Sequence, residues 1–104
     1  MDYPMRMKVT NKDGVGVIRL SISHPMETGL RKDSRGETIP AHYITHIRCT
    51  VNGDEIMNGE TGFALSKNPY LGLRYADPQT GDVVAVDWVD NQGNTGKVEA
   101  RLGK

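Results

Sequence analysis

Apolar and polar residues alternate with period two along most of the chain. Met5, Met7 and Val9 alternate with Arg6 and Lys8, and Ile18, Leu20 and Ile22 with Arg19 and Ser21. The same rhythm returns at Leu71, Leu73 and Tyr75, and again at Val98, Ala100 and Leu102. Alternation puts every second side chain on one side of an extended backbone, so each run predicts a half-buried strand. Residues 43–51 are rich in β-branched side chains and run into Asn52-Gly53. Both residues of an Asn-Gly pair accept positive φ, so a tight hairpin is expected there, returning through residues 55–58. No window repeats apolar residues at three-four spacing, and helix content is expected to be close to nil. Turn residues punctuate the chain at Asp13-Gly14, Asn68-Pro69, Asp77-Pro78 and 91–94. About seven short strands at this spacing predict an all-β fold, an antiparallel sandwich of immunoglobulin-like architecture, although the Cys-Trp-Cys hallmark is absent.

Residues 83–89 break the rule. Val84, Val86 and Trp88 form one face, yet Val83, Ala85 and Val89 on the other are apolar too. A strand apolar on both sides is covered on both sides, here by a loop of the same chain or by a partner subunit.

Composition narrows the function. A chain of 104 residues is expected to be one domain, 1–104, with a single core. Thirteen basic residues balance thirteen acidic ones. A nucleic-acid binder carries a basic excess that tracks phosphates, so nucleic acid is not an expected partner. No run is long and apolar enough for a membrane span, and residues 1–6 offer no apolar stretch for a signal peptide. The single cysteine, Cys49, forms no intrachain disulfide and no cysteine-based metal cage. It shares parity with Ile47 and Val51, which points it into the core as inert packing.

His42 and His46 are four apart, a metal-binding spacing on a helix. On the strand expected here they sit about 13 Å apart along one face, at about 3.3 Å per residue. One ion reaches both only across a sharp bend. The expectation is two solvent-side histidines near a loop, with no metal and no cofactor. The chain lacks a Gly-x-Ser-x-Gly elbow and a glycine-rich phosphate loop, so it is not expected to be an enzyme. Glu27, Arg31 and Asp33 are expected to form surface pairs of little weight. The sharpest local feature is the loop 24–41, where Pro25 and Gly29 rule out a central strand; with 66–70 it is a candidate binding loop. Two other classes remain open: a stand-alone metalloprotein using His24, His42 and His46, and a self-associating structural sandwich.

The run His24-Pro25-Met26-Glu27-Thr28-Gly29-Leu30-Arg31-Lys32-Asp33 is followed in order by 39–44, 51–53, 66–69 and Trp88-Val89-Asp90-Asn91. Together they closely resemble the SoxZ family of the bacterial sulfur-oxidation system. The resemblance runs along almost the whole chain, weakest in the first fifteen residues and the last few. It implies an immunoglobulin-like sandwich that pairs with a SoxY-like protein, whose flexible C-terminal arm carries sulfur on a cysteine. It also implies periplasmic work after export with that partner, and transient contact with other sulfur-oxidation enzymes. Against that background His24, Pro25, Met26, Glu27, Arg31, Lys32, Asp33, Ile39, Pro40, Lys67, Asn68 and Pro69 are the candidate partner-interface residues. Val83, Ala85 and Val89 are candidates for its apolar part. Arg31, Lys32 and Lys67 would favour an anionic arm nearby.

Overall fold

The computed structural model describes residues 3–60 and 67–103. Among them lie seven strands: β1 (Met5–Lys12), β2 (Val15–Ile22), β3 (Ile44–Val51), β4 (Asp54–Glu60), β5 (Tyr70–Ala76), β6 (Val83–Asp90) and β7 (Thr95–Arg101). No helix occurs among the described residues. The strands pair antiparallel in two sheets, β1-β2-β5 and β4-β3-β6-β7. The fourth strand joins the third, whereas in a constant-type immunoglobulin domain it joins the opposite sheet. The expected all-β sandwich is what forms.

Two hairpins follow from local chemistry. Asp13-Gly14 (φ 53° and 83°) and Asn52-Gly53 (φ 52° and 86°) both take the left-handed pair of a type I′ turn. That turn matches the right-handed twist of its flanking strands. Parity then fills the core: Val9, Ile18, Leu20, Ile22, Ile44, Ile47, Cys49, Val84, Val86, Trp88 and Leu102 are buried. Each fully buried aliphatic side chain contributes roughly 1.5–3 kcal/mol from area removed from water. Val83, Ala85 and Val89 lie half-buried on the outer face of the four-stranded sheet. Their cross-strand neighbours there include Thr50, His46, Glu99 and Thr95.

Two core positions carry no side chain because an aromatic ring occupies the space. Gly16 pairs across the ladder with Tyr75, and Gly96 with Trp88. A Cβ at either glycine would overlap the neighbouring ring. Both rings occupy the space that a side chain on the adjacent strand would fill.

The 24–41 segment folds back on itself as an irregular hairpin. Glu27 and His42 exchange both backbone hydrogen bonds (2.7 and 2.8 Å), and Ile39 N–H donates to the Arg31 carbonyl. The Asp33 carboxylate closes the tip by accepting the Arg35 and Glu37 amides. At its base Met26 is buried at φ 50°, and its sulfur accepts the Ile44 amide. A left-handed methionine is an unfavourable conformer, held here by the contacts around it.

Candidate functional site

At the C-terminal end of β6, three titratable side chains meet inside the protein. Asp90 continues the inward parity of Val84, Val86 and Trp88, so β6 drives a carboxylate into the core. His24 enters just after β2, its amide bonded to the Asn68 side chain. His42 lies two residues before β3, bridged to Glu27. Between Ile44 and His46 the β3–β6 register slips by a residue, a bulge that leaves Ile44 opposite Asp90 and His46 opposite Val89. A bulge inserts one unpaired residue and inverts facing beyond it. His42 therefore turns inward with Ile44, while His46 stays on the outer face beside Arg48 and Asp87.

This corrects the sequence expectation for His42, which is only 9% exposed. Strict alternation put both histidines on one solvent-facing side; the bulge at Thr45 separates them. His24, at 1% exposed, sits with His42 at a ring-centroid distance of 4.5 Å.

Both imidazoles bond the same oxygen. His24 Nε2 lies 2.9 Å and His42 Nε2 2.8 Å from Asp90 Oδ2. The Asn94 side chain donates to Oδ2 at 3.1 Å, and the Gln92 and Asn94 amides donate to Oδ1 at 3.0 and 2.8 Å. His24 Nδ1 accepts the Met26 amide at 3.2 Å. That bond fixes the tautomer: the His24 proton is on Nε2 and points at Asp90. Tyr3 roofs the cluster. Its ring stacks on His24 at 5.1 Å and meets Trp88 edge-on at 5.3 Å, and its hydroxyl is 3.1 Å from His42 Nε2.

The electrostatics follow from this geometry. Burial pushes the Asp90 carboxyl up, but the bonds from His24, the Asn94 amide, His42 and the Asn94 side chain outweigh it and hold the group at about 2. Burial depresses His24, against the opposing pull of its bond to Asp90 and with His42 adding to the depression. Burial, then the nearby Asp90 charge, raises the Tyr3 phenol. At neutral pH the site holds an ionised aspartate and a neutral His24.

What can this arrangement do? The ligand atoms of His24, His42 and Asp90 lie within 4.8 Å of one another, a composition that suits a divalent metal. For His24 Nε2 to ligate, however, its proton would have to move to Nδ1, which is already the acceptor for Met26. The Asp90 oxygens have five donors between them, and His24 uses both nitrogens internally. The donor set is built as a hydrogen-bonded clamp. It fastens the base of the 24–41 hairpin and the Tyr3 segment to the end of β6.

The sequence-derived interface residues divide in two. Arg31, Lys32, Asp33, Pro40, Lys67 and Asn68 are exposed, and Pro25, Glu27, Ile39, Val83, Ala85 and Val89 half-buried. His24, Met26 and Pro69 are buried, so they shape the surface from beneath and offer a partner no side-chain contact. Ser66 lies outside the described residues. Glu27 and Arg31 form the expected surface ion pair, and the guanidinium holds the Glu27 carboxyl below its ordinary range. Asp90 is the functional residue that sequence reasoning missed. Its signal was available, since an acid two residues beyond Trp88 shares the parity of three core positions.

Cys49 is fully buried, as expected, and burial together with the Asp87 charge pushes its thiol up to about 11. Burial and a raised pKa both disfavour the thiolate, the reactive form of a cysteine.

The family model of the sulphur oxidation protein SoxZ matches residues 5–101, nearly the whole chain. No curated protein matches it.

Proposed function

The chain belongs to the SoxZ family, and on that premise we propose that it is the non-catalytic half of a two-chain sulfur carrier. Its partner is a SoxY-like protein whose arm cysteine holds the sulfur intermediates of thiosulfate oxidation. A role in sulfur oxidation comes with the family; the division of labour is supported by one observation above the others. The only thiol of this chain, Cys49, is sealed in the core with its pKa pushed up to about 11. A sealed thiol is what a subunit has when the covalent carrier is on another chain, and this supports the proposed division. The physical work left to this subunit is to present a stiff surface. A prefolded surface loses little conformational entropy on docking, and the His24–His42–Asp90 clamp supplies that stiffness at the base of the 24–41 hairpin.

In this reading Val83, Ala85 and Val89 supply apolar contact to the partner, and the exposed Arg31, Lys32 and Lys67 lie where an anionic sulfur-bearing arm is favoured. The complex works in the periplasm, exported with its partner, and meets other sulfur-oxidation enzymes transiently. The test is reconstitution with a SoxY-like subunit and thiosulfate. Wild type and Cys49→Ala are expected to support equal turnover, with every sulfur adduct found by mass spectrometry on the partner. Turnover by the isolated chain, or adducts on Cys49, would overturn the proposal. Failure to associate with any arm-bearing subunit would do the same.

A further inference from the structure

We propose that the outer face of the three-stranded sheet docks the acidic surface of a protein, in a weak and salt-sensitive contact. The ladder register builds this face in rows. Arg6, Ser21 and Tyr70 are level with one another, then Lys8, Arg19 and Gly72, then Thr10, Val17 and Arg74, then Lys12, Val15 and Ala76. Five exposed cations, Arg6, Lys8, Lys12, Arg19 and Arg74, share it, and none of its twelve outward positions carries an acid. The nearest acids along these strands, Asp13 and Asp77, lie in the turns beyond its end. None of the five cations has an ion pair among the described residues.

Segregation of this kind is not what a neutral chain does by default. Its thirteen cations equal its thirteen acids, and the opposite sheet mixes them: Arg48 pairs with Asp87 at 3.0 Å and Lys97 with Glu99 at 3.3 Å. On the three-stranded sheet Lys8 stands directly across the ladder from Arg19. Like charges directly opposite in a sheet oppose folding. A local choice that works against the fold marks a surface kept for something else. Beside Arg19, Gly72 offers no side chain to cover the guanidinium. A shallow depression of about 250 Å³ opens between Arg6, Lys8, Arg19 and Tyr70, and Tyr70 is 66% exposed at its rim. An exposed tyrosine beside cations is a common interface anchor.

The layout selects the occupant. The cations spread over about 20 Å of strand and about 10 Å of sheet width, too far apart to converge on a small anion. A nucleic acid would need an overall basic excess and several stacking aromatics, whereas this face has Tyr70 alone. An extended acidic protein surface matches both spread and sign. The flat area, about 200–300 Å² from the same spacings, is well under the roughly 800 Å² per partner of a stable interface. The contact is therefore an electrostatically steered encounter, fast and brief. It stands apart from the carrier role, so its failure would leave the pairing proposal untouched.

The experiment titrates the full chain with an oligoglutamate peptide, followed by amide resonances. The parallel arms use oligo-dT of equal charge, anionic phospholipid vesicles, and the chain alone in sedimentation. Shifts confined to β1, β2 and β5 are expected, with affinity falling about tenfold or more from low to physiological salt. Lys8→Glu/Arg19→Glu is expected to weaken peptide binding at least about tenfold, while Lys97→Glu/Arg101→Glu on the other sheet leaves it unchanged. Lys8→Glu alone should lose binding yet unfold at a higher temperature, because it now faces Arg19 with opposite charge. Absent shifts, shifts elsewhere, equal loss from both double variants, or tighter binding of oligo-dT or vesicles would overturn the proposal. So would self-association through this face.

Discussion

Strand β6 is bracketed by two buried aspartates, and the two ends of the molecule use them differently. At the start of β6, Asp82 accepts the Asn52 side chain at 2.9 Å, the Tyr75 hydroxyl at 3.0 Å and the Gln79 amide at 2.8 Å. At its end, Asp90 accepts two imidazoles as well as amides. Each aspartate also has a nearby aromatic ring lying on a bare glycine, Tyr75 on Gly16 and Trp88 on Gly96. Both ends thus close the sandwich with a carboxylate that gathers otherwise unpaired donors. The donors of Asp82 do not titrate near neutrality, since burial and the Asp82 bond push the Tyr75 phenol up to about 12. Those of Asp90 include a depressed histidine. The Asp82 end is latched through neutral pH; the other, which carries the 24–41 hairpin, is latched in its present form only while His24 keeps its protonation.

The largest effect expected is from Asp90→Ala. It leaves the buried His24 and His42 side chains without their shared acceptor, at a cost of roughly 1–3 kcal/mol for each unsatisfied group, read as a lowered urea midpoint. Asp82→Ala is expected to cost less, because the Asn52 and Tyr75 side chains sit nearer solvent. Equal or greater loss from Asp82→Ala would break the comparison.

Acid separates the ends next. His24 is depressed in the folded state, so between that value and the ordinary 6.5 the unfolded chain binds more protons. Its contribution is complete above about pH 6.5 and is lost as pH falls through the folded value. Asp90, held at about 2, adds a further loss from about pH 4 downward. Asp82, lowered by the Gln79 amide and Asn52, acts only in that acid range. His24→Gln keeps a donor for Asp90 without a titrating ring, and should flatten the loss of stability that sets in below about pH 6.5. A slope that survives the substitution would place the titrating group elsewhere.

How much of this was legible beforehand depends on whether the signal is local. The strands and both type I′ hairpins follow from parity and from Asp13-Gly14 and Asn52-Gly53, each readable within a few residues. The inward position of Cys49 was readable in the same way. The clamp was not, because it joins residues 66 positions apart and depends on a one-residue bulge at Thr45 that alternation cannot register. The same limit explains why His24, Met26 and Pro69, read from the sequence as surface residues, lie inside. A polar loop rich in proline and glycine reads as solvated. This one returns to the core at its base through Met26, whose left-handed backbone no apolar pattern announces.

The paired glycines test whether the two ends are mechanically alike. Gly96→Ala and Gly16→Ala each force a ring off the neighbouring strand, and overpacking of this kind costs about 1–3 kcal/mol. Gly96→Ala displaces Trp88 from Tyr3 and His24, so it should change tryptophan fluorescence and steepen the acid loss of stability. Gly16→Ala displaces Tyr75 from Asp82 and should leave both readouts as in wild type. If Gly16→Ala altered the acid profile too, the ends would be coupled through β6 rather than independent.

The smallest expected effect is that of zinc. Two imidazoles and a carboxylate are a plausible ligand set on composition, and a bound ion would raise the unfolding temperature by mass action. The Met26 amide, however, holds the His24 proton on Nε2, the atom that would have to ligate. A molar excess of zinc at neutral pH should therefore leave the unfolding midpoint in place, in wild type and Asp82→Ala alike. A rise that disappears in His24→Gln would show that the Met26 bond yields to the metal, and the Asp90 end would then be a ligand site closed by a weak latch.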